Sequence, residues 1–353
     1  MLYVLLSAAV LLFAFQRCSD DTPTEPPPTT NDTTSHEFVW EVDTLNTHGV
    51  FDGFRIWGSD SENVFVTGDA LSHEEVIWHW NGSEWAIPRT GVWFYNNSFT
   101  AIDGLDKSYA ILVGGGGGGF MEILQLKDNT WTKLPPPAEN LRKLSSVDVV
   151  ARDEFYLGGV DGVWHYKSGE WKWLLDTTDS YFDATYRFDC RGLLTRNGEL
   201  IYLLTQKLYP NWDSYYYLWE HRGESFAVID SFQQRNYFTL EPKIGHMFWK
   251  SGEDGFSAGA GGIFHLDDDK WRRIHHRAAF AGTGTMNNMF AGPRDTLFHF
   301  NGNSWEDITP AILRNAGRFL INGIYSVDRV IFVTTHFNGH SLVLRGYQAS
   351  LSN

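Results

Sequence analysis

The segment IWHWNGSEW at residues 77–85 places His79 six positions before Trp85, and the same spacing returns along the chain. VWHYKSGEW sets His165 six before Trp171, IFHLDDDKW sets His265 six before Trp271, and LFHFNGNSW sets His299 six before Trp305. Two further copies keep the spacing with other residues, Gln125 before Trp131 and Glu220 before Phe226. Self-similarity at a period of roughly 20–50 residues is the mark of solenoids, propellers and arrays. Whatever this chain does, it does on a repeated scaffold.

Each copy reads as four short strands. In the first they are FDGFRIWG, NVFVTGD, EVIWHWN and EWAIPR, runs rich in β-branched and aromatic residues and bounded by Gly, Asn, Asp and Ser. Asn81-Gly82 and Asn301-Gly302 fall between the third and fourth strands of their copies, where Asn-Gly is a hairpin signal because both residues tolerate positive φ. Seven copies can be counted. The sixth has a poor first strand around AFAGTG, and the seventh ends without a fourth. The missing strand is at the other end of the chain: FVWEVDTL, residues 38–45, resembles the fourth strands SWEDITP and EWAIPRT. The sequence therefore predicts an all-β fold, a seven-bladed β-propeller of four-stranded blades over residues 37–353, with the N-terminal strand closing the ring. Closure removes the free sheet edges that endanger open β proteins.

IWGSDSENVFVTG followed by IWHWNGSEW resembles the repeats of bacterial secreted and lipoprotein β-propellers, and LGGVDGVWHYKSGEW has a weaker kelch-like look. The Trp-Asp signature of WD40 repeats and the Asp box of sialidase-like propellers are absent. The resemblance implies architecture and is nearly silent on activity.

The first residues differ in kind. LYVLLSAAVLLFAF is an apolar run of signal-peptide length, and the following QRCSDDTPTEPPPTTNDTTS is too polar to bury a core. An apolar run, then Cys18, then such a tether resembles a bacterial lipoprotein signal, in which the cysteine is lipidated; CSDD resembles the acidic export signal of surface lipoproteins in Bacteroidota-like bacteria. No Lys or Arg precedes the run, and Gln16 and Arg17 stand where small residues are usual. The reading is a signal peptide over 1–17, a disordered tether over 18–36 and an outer-membrane lipoprotein, possible surface exposure included. The alternative is an ordinary secreted protein with an incidental Cys18.

Charge and motifs exclude several function classes. With 28 basic and 43 acidic side chains the net charge is −15, which argues against nucleic acid as a partner. Two cysteines make no disulfide framework. The repeated histidines sit on third strands spread around a ring, too far apart to share a metal, and are expected to span blade-to-blade contacts while satisfying buried polar groups. VGGGGGGF at 113–120 lacks the helix and Gly-Lys-Ser/Thr ending of a phosphate loop. The DDD at 267–269 reads as a solvated turn, and Asp176, Asp179 and Asp183 fit no calcium-loop spacing. No cofactor and no metal site is expected, and the membrane is reached through the lipid anchor alone. A monomer is expected.

One asymmetry points to a site. Connections from fourth to first and from second to third strands open on one face, and they hold nearly all the long insertions. These carry Trp93, Tyr95, Asn97, Tyr181, Tyr186, Arg187, Tyr209, Trp212, Arg235 and Tyr237 as candidate ligand-binding residues. Aromatic rings beside amides and Arg suit stacking on sugars or docking of a protein. Three readings follow: a non-catalytic recognition or scaffold module for a glycan or envelope protein; a carbohydrate hydrolase or lyase on the same face near the axis, with Asp52, Asp189, Arg191 and His246 as nearest acid–base groups; or a structural envelope lipoprotein. The absence of a catalytic signature leans away from the enzyme.

Overall fold

The computed structural model describes residues 34–45, 51–70, 77–88, 99–115, 121–138, 141, 143–176, 187–208, 214–234, 247–251, 254–259, 261–293, 295–316, 319–337 and 340–349. They form seven four-stranded antiparallel sheets, the blades of a β-propeller. The first strands of blades 1 to 7 are Phe51–Asp60, Phe99–Asp106, Leu144–Ala151, Arg187–Arg196, Met247–Ser251, Ala281–Thr285 and Leu320–Val327. Each packs against the next, and the last packs against the first, so these strands form the inner ring. A short helix, Ala311–Ala316, leads from blade 6 toward blade 7.

Blade 7 is completed from the other end of the chain. Phe38–Thr44 pairs antiparallel with His340–Gln348, in register from Phe38↔Gln348 to Thr44↔Leu342. Arg345 fixes this closure. It is 8% exposed, bonds Asp43 through Nε (2.5 Å) and Nη2 (3.0 Å), reaches Glu41 at 2.9 Å, and lies 4.0 Å over the ring of Trp80 in blade 1. Trp85 of blade 1 donates to the same Asp43 carboxylate at 3.0 Å. The closing strand is thus bonded to both blades it lies between. Residues just before the closing strand make contacts of their own. Ser35 accepts from Gln348 at 2.6 Å and His36 bonds the His299 ring at 2.9 Å, so part of the segment read as tether is docked on blades 6 and 7.

The repeat is a radial layer. In each blade one inner-strand residue pairs with a second-strand residue, which pairs with the third-strand position where the repeated histidine falls. The layers are Trp57–Phe65–His79, Asp103–Ile111–Gln125, Asp148–Tyr156–His165, Leu194–Tyr202–Glu220, Trp249–Phe256–His265, Thr283–Phe290–His299 and Tyr325–Phe332–Arg345. Arg345 is therefore blade 7's counterpart of the histidine. Both faces of each blade are covered by neighbours, so runs such as Tyr109–Val113 are buried without alternation.

The sequence reading expected the histidines to span blade-to-blade contacts; the bond they have in common lies within the blade, although His299 also packs on Phe38 of blade 7. Each bonds the residue that opens the second strand of its own blade: His79 to Asn63 (2.7 Å), His165 to Glu154 (3.1 Å), His265 to Asp254 (3.0 Å) and His299 to Asn288 (2.8 Å). Each also stacks on the ring beside it, Phe65, Tyr156, Phe256 or Phe290, at 4.3 to 5.0 Å. The imidazole is flat enough to stack on its cross-strand partner and long enough to reach two residues back. The Asn-Gly turns differ from expectation too. Only Gly82 and Gly302 take positive φ; Asn81 and Asn301 instead accept the amides of Ser83 and Glu84, and of Asn303 and Ser304, through Oδ1. A side-chain cap replaces the two-residue turn.

Two expectations follow. Deleting residues 36–46 removes the closing strand and the partners of Arg345, so urea unfolding followed by tryptophan fluorescence should lose its cooperative transition. Burial and the neighbouring His36 push the His299 imidazole down to about 3. The unfolded chain then binds this proton more tightly, and stability falls as pH drops below about 6.5, by up to ~1.4 kcal/mol per pH unit. His299→Gln, which copies Gln125 of blade 2, should remove that part of the acid sensitivity, seen in urea midpoints between pH 7.5 and 4.5.

Candidate functional site: the central channel

The inner strands enclose a channel of about 860 Å3. Each inner strand starts at the face with the long connections and ends at the face with the short turns. Near its start, five of them break register by one residue, between 53 and 55, 99 and 101, 144 and 146, 190 and 192, and 321 and 323. A bulge frees the extra residue from the ladder and re-aims its side chain. Thr100 uses that freedom to donate to Leu144 O of the next blade at 2.6 Å, and Ser145 to donate to Cys190 O at 2.7 Å.

The freed residue in blade 4 is Arg191, which lines the channel. Beside it, Asp189 is buried and accepts from Ser145 Oγ at 2.5 Å; Lys143 lies 3.2 Å and Arg191 3.3 Å from its Oδ2. Arg191 is oriented by a 2.8 Å bond from Nε to Gln206 Oε1. Arg55 of blade 1 lines the same channel and donates from Nε to Thr100 O at 3.0 Å. It is open to the channel's solvent yet enclosed by the walls; this desolvation, then the charge of Arg191, holds its pKa below the ordinary value, against the pull of Asp189.

A second cluster sits toward the short-turn face. Asp103 accepts the amide of Val149 (2.6 Å), and Asp148 accepts the amide and hydroxyl of Thr195 (2.9 and 3.1 Å). Each aspartate thus bonds the inner strand of the following blade. Lys250 of blade 5 reaches back across blade 4 to Asp148, to Thr195 Oγ1 (3.1 Å) and to Val149 O (3.3 Å). Other blades make the same link with different chemistry: Trp249 donates to Gly284 O at 3.2 Å and Tyr325 to Gly58 O at 2.5 Å. The Trp57 and Trp249 rings lie so close over Gly104 and Gly282 that an added Cβ would come within 2.5 and 2.8 Å. Burial pushes the Asp103 carboxyl up to about 7, with Lys250 opposing, Asp148 adding, and the amides of Val149 and Gly104 opposing.

The structure brings together two of the four axial residues named from sequence, Asp189 and Arg191. Asp189 is held in place by two cations and a hydroxyl. The side chain of Asp52 and all of His246 lie outside the described residues. So do Trp93, Tyr95, Asn97, Tyr181, Tyr186, Tyr209, Trp212, Arg235 and Tyr237, the side chain of Arg187, and Cys18. Sequence reasoning missed Arg55, Asp103, Asp148 and Lys250. A signal was present: aligned copies put Asp103 of FTAIDGL and Asp148 of LSSVDVV at the position held by Trp57, Leu194 and Trp249 elsewhere.

No family model matches this chain, and no curated protein matches it. Solved structures do, as β-propellers. YCF48 bound to D1 peptide is 14% identical with a TM-score of 0.57, over 93% of this chain and 100% of that one. YCF48 from Cyanidioschyzon merolae is 12% identical with a TM-score of 0.55, over 86% and 98%. The extracellular domain of BT4673 from B. thetaiotaomicron is 12% identical with a TM-score of 0.54, over 89% of this chain and 40% of that one. At these identities the likeness defines the class, a seven-bladed β-propeller, and no particular activity.

The Asp103 carboxyl gives a test of the channel's electrostatics. Its folded pKa lies above the unfolded value, so its contribution to stability is full below about 4 and lost as pH rises through about 7. Asp103→Asn keeps an acceptor for the Val149 amide and removes the buried charge. Its urea midpoint should match the wild type near pH 4 and exceed it at pH 8.5.

Proposed function

We propose that this protein is a non-catalytic recognition propeller of a bacterial cell envelope, exported by residues 1–17, tethered through a lipidated Cys18, and docking a protein partner on the face where the long connections emerge. The observation that carries this reading is the use of the inner-ring polar groups. Among the described residues Asp103, Asp148, Asp189, Thr100 and Ser145 are all bonded to neighbouring blades or to cations, which makes the ring a rigid platform. Rigid scaffolds present function on their connecting segments, and here those segments hold Trp93, Tyr95, Tyr181, Tyr186, Tyr209, Trp212 and Tyr237. Aromatic residues of this kind supply the anchors of protein interfaces. The similar propellers include one bound to a peptide and one that is an extracellular domain, which agrees with this use. A glycan ligand would use the same rings by stacking.

The test is made in cells expressing the full chain. The wild type should sediment with envelope membranes and capture a defined partner on crosslinking, while Cys18→Ala should move to the soluble fraction. Trp93→Ala and Trp212→Ala should each reduce capture by about tenfold, the loss of one aromatic hot spot. Unchanged capture in both would remove the loop face from the proposal. Retardation in polysaccharide-containing native gels, lost in the same variants, would replace the protein partner with a glycan.

A further inference from the structure

We infer that His36 and His299 form an acid-sensitive latch, which holds residues 34–36 on blade 6 at neutral pH and releases them as the pH falls, with the ring still folded. The pair sits beside the short turn Asn301–Ser304 of blade 6, away from the long connections proposed above as the docking face, and does not depend on that reading.

Residues 34–36 precede the closing strand, which starts at Phe38, so they lie outside its ladder. Among the described residues, their shortest bond to blade 6 runs from His36 Nδ1 to His299 Nδ1, 2.9 Å. The others are longer: His36 Nε2 to Ser304 Oγ at 3.2 Å, Thr34 N to Asn301 O and Thr34 Oγ1 to Asn288 Oδ1 at 3.4 Å, and Thr34 Oγ1 to His299 Nε2 at 3.5 Å. The hold on blade 6 therefore turns on the histidine pair. His299 is fully buried, stacked on Phe290 at 4.6 Å, with Phe38 edge-on at 5.4 Å and His36 edge-on at 4.7 Å. Phe290 and Phe38 belong to paired strands. Of these three covers, His36 is the one that leaves without breaking a ladder.

The acceptors fix the protons. His299 Nε2 lies 2.8 Å from Asn288 Oδ1, so it carries the hydrogen. Its Nδ1 is then bare and accepts from His36 Nδ1–H, which leaves His36 Nε2 to accept from the Ser304 hydroxyl. Two nitrogens 2.9 Å apart share one proton and have no room for two. A charge on His36 alone goes to Nε2, where Glu306 stands 3.8 Å away, and the pair survives it. A charge on His299 goes to Nδ1, where it meets the His36 N–H head on. Among the described residues Glu306 is the one charged side chain facing the pair; Thr34, Ser304, Asn288, Phe38 and Phe290 are neutral. Burial holds both imidazoles below their ordinary value, His36 with Glu306 opposing and His299, at about 3, with His36 adding. Docking is therefore favoured above about 6.5 and weakens as the pH falls. His165 and His265 instead face Glu154 and Asp254, which suit a charged ring. Release frees three residues, up to about 10 Å of chain, between the ring and the segment before residue 34.

The experiment is NMR of the full chain with carbon-13 at histidine Cε1, titrated from pH 7.5 to 4.5 beside a neutral paramagnetic chelate that broadens exposed rings. His36→Ala and His299→Gln assign the two signals. At pH 7.5 the His299 signal should be sharp. Below about 6.5 its broadening should grow about tenfold per pH unit as released chains accumulate, while near-UV circular dichroism stays constant. The His36 signal should broaden in step with it, and in His299→Gln, which copies Gln125, should change less than about twofold. The inference fails if His299 stays sharp at pH 4.5, if broadening comes only with loss of the dichroism signal, or if His36 is released equally in His299→Gln. Should that variant lose its fold, the wild-type titration and His36→Ala decide. Removing the cover should broaden His299 already at pH 7.5, and a sharp signal there would overturn the latch.

Discussion

The ring depends on one buried cation and the strand that neutralises it. Arg345 occupies in blade 7 the layer position that histidine occupies in four other blades, and a guanidinium there cannot shed its charge as an imidazole can. Its acceptors, Asp43 and Glu41, arrive only when Phe38–Thr44 adds to the blade. A buried ion pair contributes little net stability over apolar packing, but leaving one member unpaired costs roughly 3–5 kcal/mol. The closing strand is therefore specified by charge as well as by backbone pairing. Trp80 and Trp85 carry the same contact into blade 1, so the seam where the two ends of the propeller meet is bonded on both sides.

Outward from the axis, each blade repeats one radial layer, and the layer assigns different jobs to its positions. At the third strand the histidine, stacked and bonded within its own blade, stiffens the sheet. At the inner strand the equivalent residue faces the following blade and supplies the link between them, by an aspartate, a threonine, a tyrosine hydroxyl or an indole. In five blades that residue bonds a backbone amide or carbonyl of the next inner strand, whereas Leu194 of blade 4 has no polar group to do so. The bulges one layer up release residues from the ladder, and there the sequence places Thr100, Ser145 and Arg191. Of the channel's arginines, Arg191 is thus freed from the ladder by a bulge, while Arg55 stays in register with Thr67.

The sequence determined the architecture because the fold is periodic. Spacing of His79, His165, His265 and His299 to the tryptophans, the alternation of strands and turns, and the orphan strand at 38–45 are all local or pattern properties, and each is visible in one dimension. The partners of those histidines were less legible, since Asn63, Glu154, Asp254 and Asn288 belong to the same blade and only register could tie each to its ring. Asn81 and Asn301 misled for a related reason: Asn-Gly marks a turn, but whether the asparagine bends its backbone or caps with its side chain depends on the strands it joins.

Tertiary structure alone decided what meets at the axis. Lys143 and Arg191 are separated by dozens of residues and share Asp189 because rotation about the channel brings the starts of blades 3 and 4 together, and Arg55 of blade 1 lines the same channel. Asp103, Asp148 and Lys250 become one cluster because Lys250 points backward across a whole blade, a direction fixed by its parity on the inner strand. A repeat pattern states that equivalent positions exist. It does not state which faces of neighbouring blades they point to, and in a propeller that choice of face places each charge in the wall, at a seam or in the lumen.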